Sequence, residues 1–233
     1  VKPAEAPPGS LAADARLRTL LALLQLASPA LPVGGYAYSQ GLERAIDDGC
    51  VHDAASARRW IEDALALSLA RWEAPLWLRA FDACCAGDHA AAARWNAELL
   101  AARETAELRA ETQQMGASLQ RVLPALNLTA PPFEPAAFPA VFACACAALG
   151  IDREAGLAAY LWSWSENQAL VAVKTVPLGQ QAGQALLYAL HGAIAGAVAT
   201  AAQLGDDELG GAAVRLALTC ARHETQYSRL YRS

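Results

Sequence analysis

The chain has 233 residues, 55% hydrophobic and 18% charged, with 18 Lys+Arg against 23 Asp+Glu and a net charge of −5. That length fills one substantial core, and the mild negative charge argues against a protein that lives on phosphate backbones, so no nucleic-acid partner is expected. Alanine alone supplies 57 residues, and the best helix former is a poor strand former, which points away from a β-rich fold.

Residues 1–12 read as a flexible N-terminal segment, because Val1 to Gly9 is polar and proline-rich and carries no apolar signal run. Leu17, Leu20, Leu21 and Leu24 then recur at helical spacing and predict an amphipathic helix over 14–27. It stops at Ser28-Pro29-Ala30-Leu31-Pro32-Val33-Gly34-Gly35, whose two prolines and two glycines predict an ordered loop. A short helix is expected over 36–48. Another follows behind the Asp53 cap, with Trp60, Ile61, Ala64, Leu65, Leu69 and Trp72 on one face. Pro75 restarts or kinks that helix, which runs to Gly87.

Asp88 caps a helix expected to reach about Leu123, and Pro124 to Pro139 is the longest non-helical linker. Helices follow over 136–149, over 153–173 behind Asp152, over 178–204, and over 207–221 behind Asp206. The result is an all-α, single-domain bundle of roughly eight to ten helices spanning 13–221. Ala185–Leu204 carries no charge and is long enough to cross a bilayer. Its alanines, His191 and Gln203 favour a buried bundle helix instead, in which Gly192 and Gly196 admit a close neighbour, so no membrane partner is expected.

Polar residues interrupt the apolar stripes in three places. Glu104 and Glu111 align with Leu108 and Met115, reading either as a helix edge, with Arg103 and Glu107 a solvated pair, or as a polar seam at a cavity or interface. Gln168 lies in a stripe with Leu161, Trp164 and Val171, and Lys174 closes that helix, either neutralising terminal carbonyls or reaching for a partner's carboxylate. The last stripe, through Leu216 and Cys220, runs on past Arg222 to Tyr227 and Leu230. Residues 222–233, with three arginines and two tyrosines, have the composition of a docking tail.

Enzyme and metal signatures are scarce. No CxxC, HExxH, GxSxG, P-loop or GxGxxG occurs. The cysteines, Cys50, Cys84, Cys85, Cys144, Cys146 and Cys220, lack zinc-type spacing and are expected to be free, mostly buried thiols in a reducing cytoplasm. No catalytic group, cofactor or resident metal is expected.

The run Leu24-Gln25-Leu26-Ala27-Ser28-Pro29-Ala30-Leu31-Pro32-Val33-Gly34-Gly35-Tyr36-Ala37-Tyr38-Ser39-Gln40-Gly41-Leu42-Glu43 resembles the signature of the UreF family of urease accessory proteins. The likeness continues through the Arg103–Gly116 segment, through Ala172–Gln180 with its Lys174-Thr175-Val176-Pro177-Leu178-Gly179-Gln180, and into the ending from His223 to Ser233. Tyr36 and Tyr231 stand where phenylalanine is more usual and keep the ring.

The resemblance implies an all-helical, dimerising, non-catalytic scaffold for assembly of the urease nickel centre. It would bridge UreD (also called UreH) to the nickel-carrying GTPase UreG, dock on apo-urease, and either activate or gate GTP hydrolysis by UreG. Carried onto this chain, partner surfaces fall at Pro32, Gly34, Gly35, Tyr36, Ser39 and Glu43, and at Lys174, Pro177, Gly179 and Gln180. The tail adds Arg222, His223, Glu224, Gln226, Tyr227, Arg229, Leu230 and Arg232, becoming ordered on binding UreD. The alternative is a direct nickel carrier or conduit using Cys50, His52, Glu104, Glu111 or His191.

Overall fold

The computed structural model describes residues 8–211 and 213–233. In order it contains α1 (Pro8–Ala27), a 3₁₀ turn (Gly35–Ala37), α2 (Leu42–Asp47), α3 (Ala54–Ala64), a π-helical stretch (Leu65–Glu73) and α4 (Ala74–Cys85). Then come α5 (His89–Ala101), α6 (Ala106–Val122), α7 (Phe138–Ala148), α8 (Arg153–Thr175), α9 (Gln180–Ala189), α10 (His191–Gln203) and α11 (Val214–His223). The α3–π–α4 run is continuous, and α9 meets α10 at Leu190. With each of these runs taken as one, the described residues form nine helices and no strand, an all-α bundle within the expected range.

Capping side chains explain many of the boundaries. Asp53 accepts from Ser56 N at 2.7 Å while Ser56 Oγ returns the bond to the Asp53 N–H, and Asp152 accepts from the amides of Glu154 and Ala155 at 3.0 and 2.9 Å. Asp88 caps α5 through Ala91 N at 2.9 Å. The expected Asp88–Leu123 helix is in fact two. Thr105 accepts from Leu108 N at 3.1 Å and starts α6 afresh, leaving Arg103 and Glu104 outside helix.

Three other expectations are corrected. The helix over 36–48 shrinks to α2, because Gly34 and Gly41 both sit at φ 80° and turn the chain sharply. A Cβ at Gly41 would also meet Cys220 Sγ at 2.9 Å. The last helix begins only at Val214, after a 3₁₀ turn at Asp206–Glu208. At the other end α1 already begins at Pro8, so residues 8–12 are helical, and 1–7 lie outside the described residues.

The core centres on α4 and α7. Pro139 through Cys146 are all buried, and Trp77, stacked on Phe81 at 5.6 Å, is fully enclosed. Alanines at 140, 143 and 145 bring the helices close, since a small side chain keeps little space between backbones. That closeness joins Cys84 to Cys144 in a disulfide with Cα atoms 5.5 Å apart, so these two are not the free thiols expected from sequence. Cys50, Cys85, Cys146 and Cys220 are free.

Two apolar faces remain open. Residues 180–203 are long and apolar enough to cross a membrane, yet one side, with Leu186, Leu187, Leu190, Ile194 and Val198, is buried against the π stretch, α4 and α8. The opposite side, carrying Gly192 and Gly196, is open, and a Cβ at either glycine would touch nothing within 4 Å. Among the described residues, the expected close neighbour for these glycines is therefore not found. On α1, Leu26 is buried while Leu17, Leu20, Leu21 and Leu24 are 50–57% exposed.

Candidate functional site

The proline- and glycine-rich loop after α1 folds its own polar residues inward. Ser28 Oγ accepts from Ala30 N at 3.2 Å, and Gly34 starts the 3₁₀ turn that ends with Tyr38 extended. Tyr38 OH donates to Gln114 Oε1 at 2.8 Å, and its carbonyl accepts from Asn167 Nδ2 at 2.8 Å. Gln40 joins two helices: Nε2 donates to Glu111 Oε1 at 2.6 Å, and Oε1 accepts from Trp164 Nε1 at 2.7 Å. A loop pinned at this many points presents its outer residues, Pro32 and Tyr36, in a fixed arrangement, with Tyr36 71% exposed.

The C-terminal segment closes over the inner side of this loop. His223 is fully buried, with Nε2 3.0 Å from Glu43 Oε2 and Nδ1 3.0 Å from Glu107 Oε2. A carboxylate only accepts, so a ring that donates from both nitrogens satisfies the geometry, and Glu107 pairs with Arg229 as well. Glu43 further accepts from the amides of Leu230 at 2.6 Å and Tyr231 at 3.2 Å. The Ser233 main-chain oxygen accepts from Ser39 and Gln40 amides at 2.8 and 3.0 Å, and Arg232 N donates to Ala37 O at 2.9 Å. Glu224 reaches across to the amide of Glu107 at 3.0 Å, at the start of α6. The expectation of a tail ordered only on binding is corrected: within a single chain it is already packed, because three carboxylates, two of them buried, converge on its donors. The third of them is Glu111, which accepts from Ser233 Oγ at 2.7 Å.

Glu104 and Glu111 separate. Glu104 is exposed before α6 begins, whereas Glu111 is buried. Desolvation pushes the Glu111 pKa up, and the hydrogen bonds from Gln40 and Ser233 act against that rise. Arg103 does not pair with Glu107 as a solvated couple. It forms an ion pair with buried Glu73, which also accepts from Tyr160 OH at 2.6 Å. Burial is the largest single influence and works against the Arg103 charge, but the combined fields of Glu73, Tyr160 and Glu111, with the Glu73 hydrogen bond, outweigh it and hold the guanidinium pKa up. Burial and the Glu73 carboxylate raise the Tyr160 pKa well above its ordinary value.

Between these charges and the loop lies a cavity of about 110 Å3. Its walls include Leu26, Met115, Phe138, Phe142, Trp164 and Leu170, and its polar lining includes Gln40, Arg103, Glu111, Glu166 and Asn167. Glu166, Leu170 and Lys174 recur every four residues and share one face of α8. Lys174 is exposed in the last turn and forms no ion pair among the described residues, so it faces solvent just beyond the cavity rim.

The structure thus brings Gly34, Gly35, Tyr36, Ser39, Glu43 and Glu111 together with His223, Arg229 and Arg232. It leaves Pro177, Gly179 and Gln180 exposed beyond Lys174, and Arg222, Tyr227 and Leu230 facing outward on the tail. Sequence reasoning missed Gln40, Glu73, Tyr160, Trp164 and Asn167. Of these only Glu73 carried a signal, a charge inside the apolar run Leu69-Ala70-Arg71-Trp72-Glu73-Ala74. Among the described residues no group of three His, Cys, Asp or Glu side chains is arranged to hold a metal ion.

Fold and site define an all-helical protein whose buried charges tie its own two ends together and whose apolar helix faces stay open. The UreF family model matches residues 51–191. The urease accessory protein UreF of Cupriavidus taiwanensis is 50% identical over 93% of this chain and 99% of its own length, and that of Azoarcus sp. is 51% identical over 93% and 97%. A bifunctional urease accessory protein UreEF of Bordetella bronchiseptica is 49% identical over 92% of this chain and 52% of its own length. The chain belongs to the UreF family of urease accessory proteins, and its role lies in urease maturation rather than in the urease reaction itself.

Proposed function

We propose that the chain is a non-catalytic adaptor of nickel-centre assembly that bridges UreD/UreH to the GTPase UreG, acts on GTP hydrolysis by UreG, docks on apo-urease, and works as a homodimer in the cytoplasm. The observation that carries this reading is the leucine stripe of α1. Four leucines half or more exposed on α1, a helix whose buried Leu26 lies at its C-terminal end, form an apolar face that a working partner has to cover. The pinned loop with Tyr36, the Lys174 face of α8 and the outward tail residues Tyr227 and Leu230 supply the rest of the contact surface. The UreEF relative supports the same reading, since a UreF-like chain there is one polypeptide with a second part.

The direct nickel carrier has less support. Glu111 is engaged by Gln40 and Ser233, Glu104 is exposed, and His191 packs its ring against Trp162 and Tyr188 at 5.6 and 4.9 Å. Equilibrium dialysis with nickel separates the two readings, because an adaptor binds no tighter than a surface histidine does.

The test of the adaptor is co-purification with the urease accessory set. Deleting residues 222–233 is the wrong variant, since it removes His223 from between two carboxylates. Tyr227→Ala with Leu230→Ala changes only outward side chains. Loss of UreD/UreH capture at an unchanged melting temperature supports the tail as a contact, and full capture removes it.

A further inference from the structure

The cavity beneath the loop has a charge imbalance that the fold itself does not resolve. Among the described residues Arg103 is its one lining cation, and that guanidinium is paired with Glu73. Glu111 and Glu166 also line it. The hydrogen bonds that Glu111 accepts come from neutral groups, the Gln40 amide and the Ser233 hydroxyl. Glu166 has no hydrogen bond or ion pair among the described residues. Burial is the largest cause raising the pKa of both carboxyl groups; at Glu111 two hydrogen bonds and the field of Arg103 offset part of that rise, while nothing offsets it at Glu166.

The remaining walls are apolar and aromatic. Phe138, Phe142 and Tyr160 pack with ring centroids 5.5–5.9 Å apart, and the Trp164 indole is held by Gln40. The volume, about 110 Å3, is several times what one water needs, ~10–15 Å3. A wholly apolar occupant would leave Glu166 desolvated without a partner and Glu111 with neutral donors only, and an anion would be repelled by both. An amphipathic cation meets both demands, with a hydrocarbon stem along the rings and a charged head at the carboxylates.

We propose that this cavity receives a lysine or arginine side chain presented by a partner protein, seated between the aromatic wall and Glu111 and Glu166. The proposal rests on the adaptor reading and names the chemistry of one of its contacts. The partner's protein nature follows from the rim. Tyr36 is 71% and Leu170 39% exposed there, and Leu24 of the α1 stripe, 57% exposed, lies one turn from cavity-lining Ala27 and Ser28. An apolar rim around a charged centre suits a basic anchor flanked by apolar residues.

The experiment follows the indole N–H of Trp164 by NMR in the full chain, using three probes. They are a blocked tripeptide with arginine between two leucines, the same peptide with norleucine in place of arginine, and blocked arginine amide alone. A saturable shift with the arginine peptide is expected, with affinity about ten-fold weaker for the norleucine peptide and about five-fold weaker in Glu166→Gln, whose melting temperature stays unchanged. Equal binding of the norleucine peptide, an unaltered affinity in Glu166→Gln, or no saturable shift overturns the proposal. Arginine amide binding as tightly as the peptide overturns the protein-borne occupant and makes this a small-cation site. The adaptor reading is judged separately by co-purification of α1 variants, so either result can fail while the other stands.

Discussion

The two ends of the chain invert the simplest expectation about polarity. The C-terminal segment, rich in arginine, is held against the bundle with His223 fully buried, while α1, rich in leucine, keeps four leucines 50–57% exposed. Polar residues bury when donors and acceptors converge on them, as Glu43, Glu107 and Glu111 do on the tail. An apolar stripe, by contrast, states that a face is to be covered without saying by which chain. The tail is structure completed within the chain; on the proposed reading, α1 is structure completed by another molecule.

Four changes break or sharpen this contrast. The largest effect is expected from His223→Ala, which removes the fully buried ring that contacts both Glu43 and Glu107 at 3.0 Å and leaves those carboxylates without it. A loss of roughly 3–5 kcal/mol in denaturant unfolding is predicted, as for one partner removed from a buried ionic cluster. Gly116→Ala comes next. Its Cβ would lie 2.5 Å from the Ala136 carbonyl oxygen, so α6 and the segment before α7 must part, at a cost of about 1–3 kcal/mol.

Glu111→Gln tests the sealed end through pH. The native pKa of Glu111 is raised, so the folded chain holds that proton more tightly than the unfolded one. Its contribution therefore favours folding at low pH and declines as pH rises from the unfolded carboxyl value through the raised native one. Stability of Glu111→Gln relative to wild type is expected to increase over that window and then level off; a flat difference would show that Glu111 is not strained by burial. The smallest stability effect belongs to the open faces. Gly192→Leu, with nothing near the added side chain, is expected to change stability only through helix propensity, a gain of up to about 1 kcal/mol with no packing cost.

Much of the bundle was legible because helix signals are local. Asp53, Asp88 and Asp152 announced helix starts through short-range caps, and the leucines and alanines announced helices by spacing. What was hidden depends on distant partners. Thr105 looked like one more residue of a long helix until its hydroxyl capped α6. Cys84 and Cys144, 60 residues apart, became neighbours only when α4 packed on α7. The same holds for the site: Glu111 stood out as a polar interruption, and Ser39 and Glu43 as surface residues implied by the family resemblance, but nothing nearby in the chain tells that Ser233, Gln40 and His223 would satisfy them. Glu104 looked equivalent to Glu111 by helical spacing, and the break before α6 removed that equivalence.

The central claim, that the open face of α1 is a partner surface, is tested most directly by Leu20→Glu with Leu21→Glu in the full chain. Urease activation and capture of the accessory partners are measured beside the melting temperature. The account predicts that activation and capture are lost while the melting temperature stays within a degree or two of wild type, since both side chains are already half exposed. Full activation by this variant, or a loss of activity matched by unfolding, would contradict it.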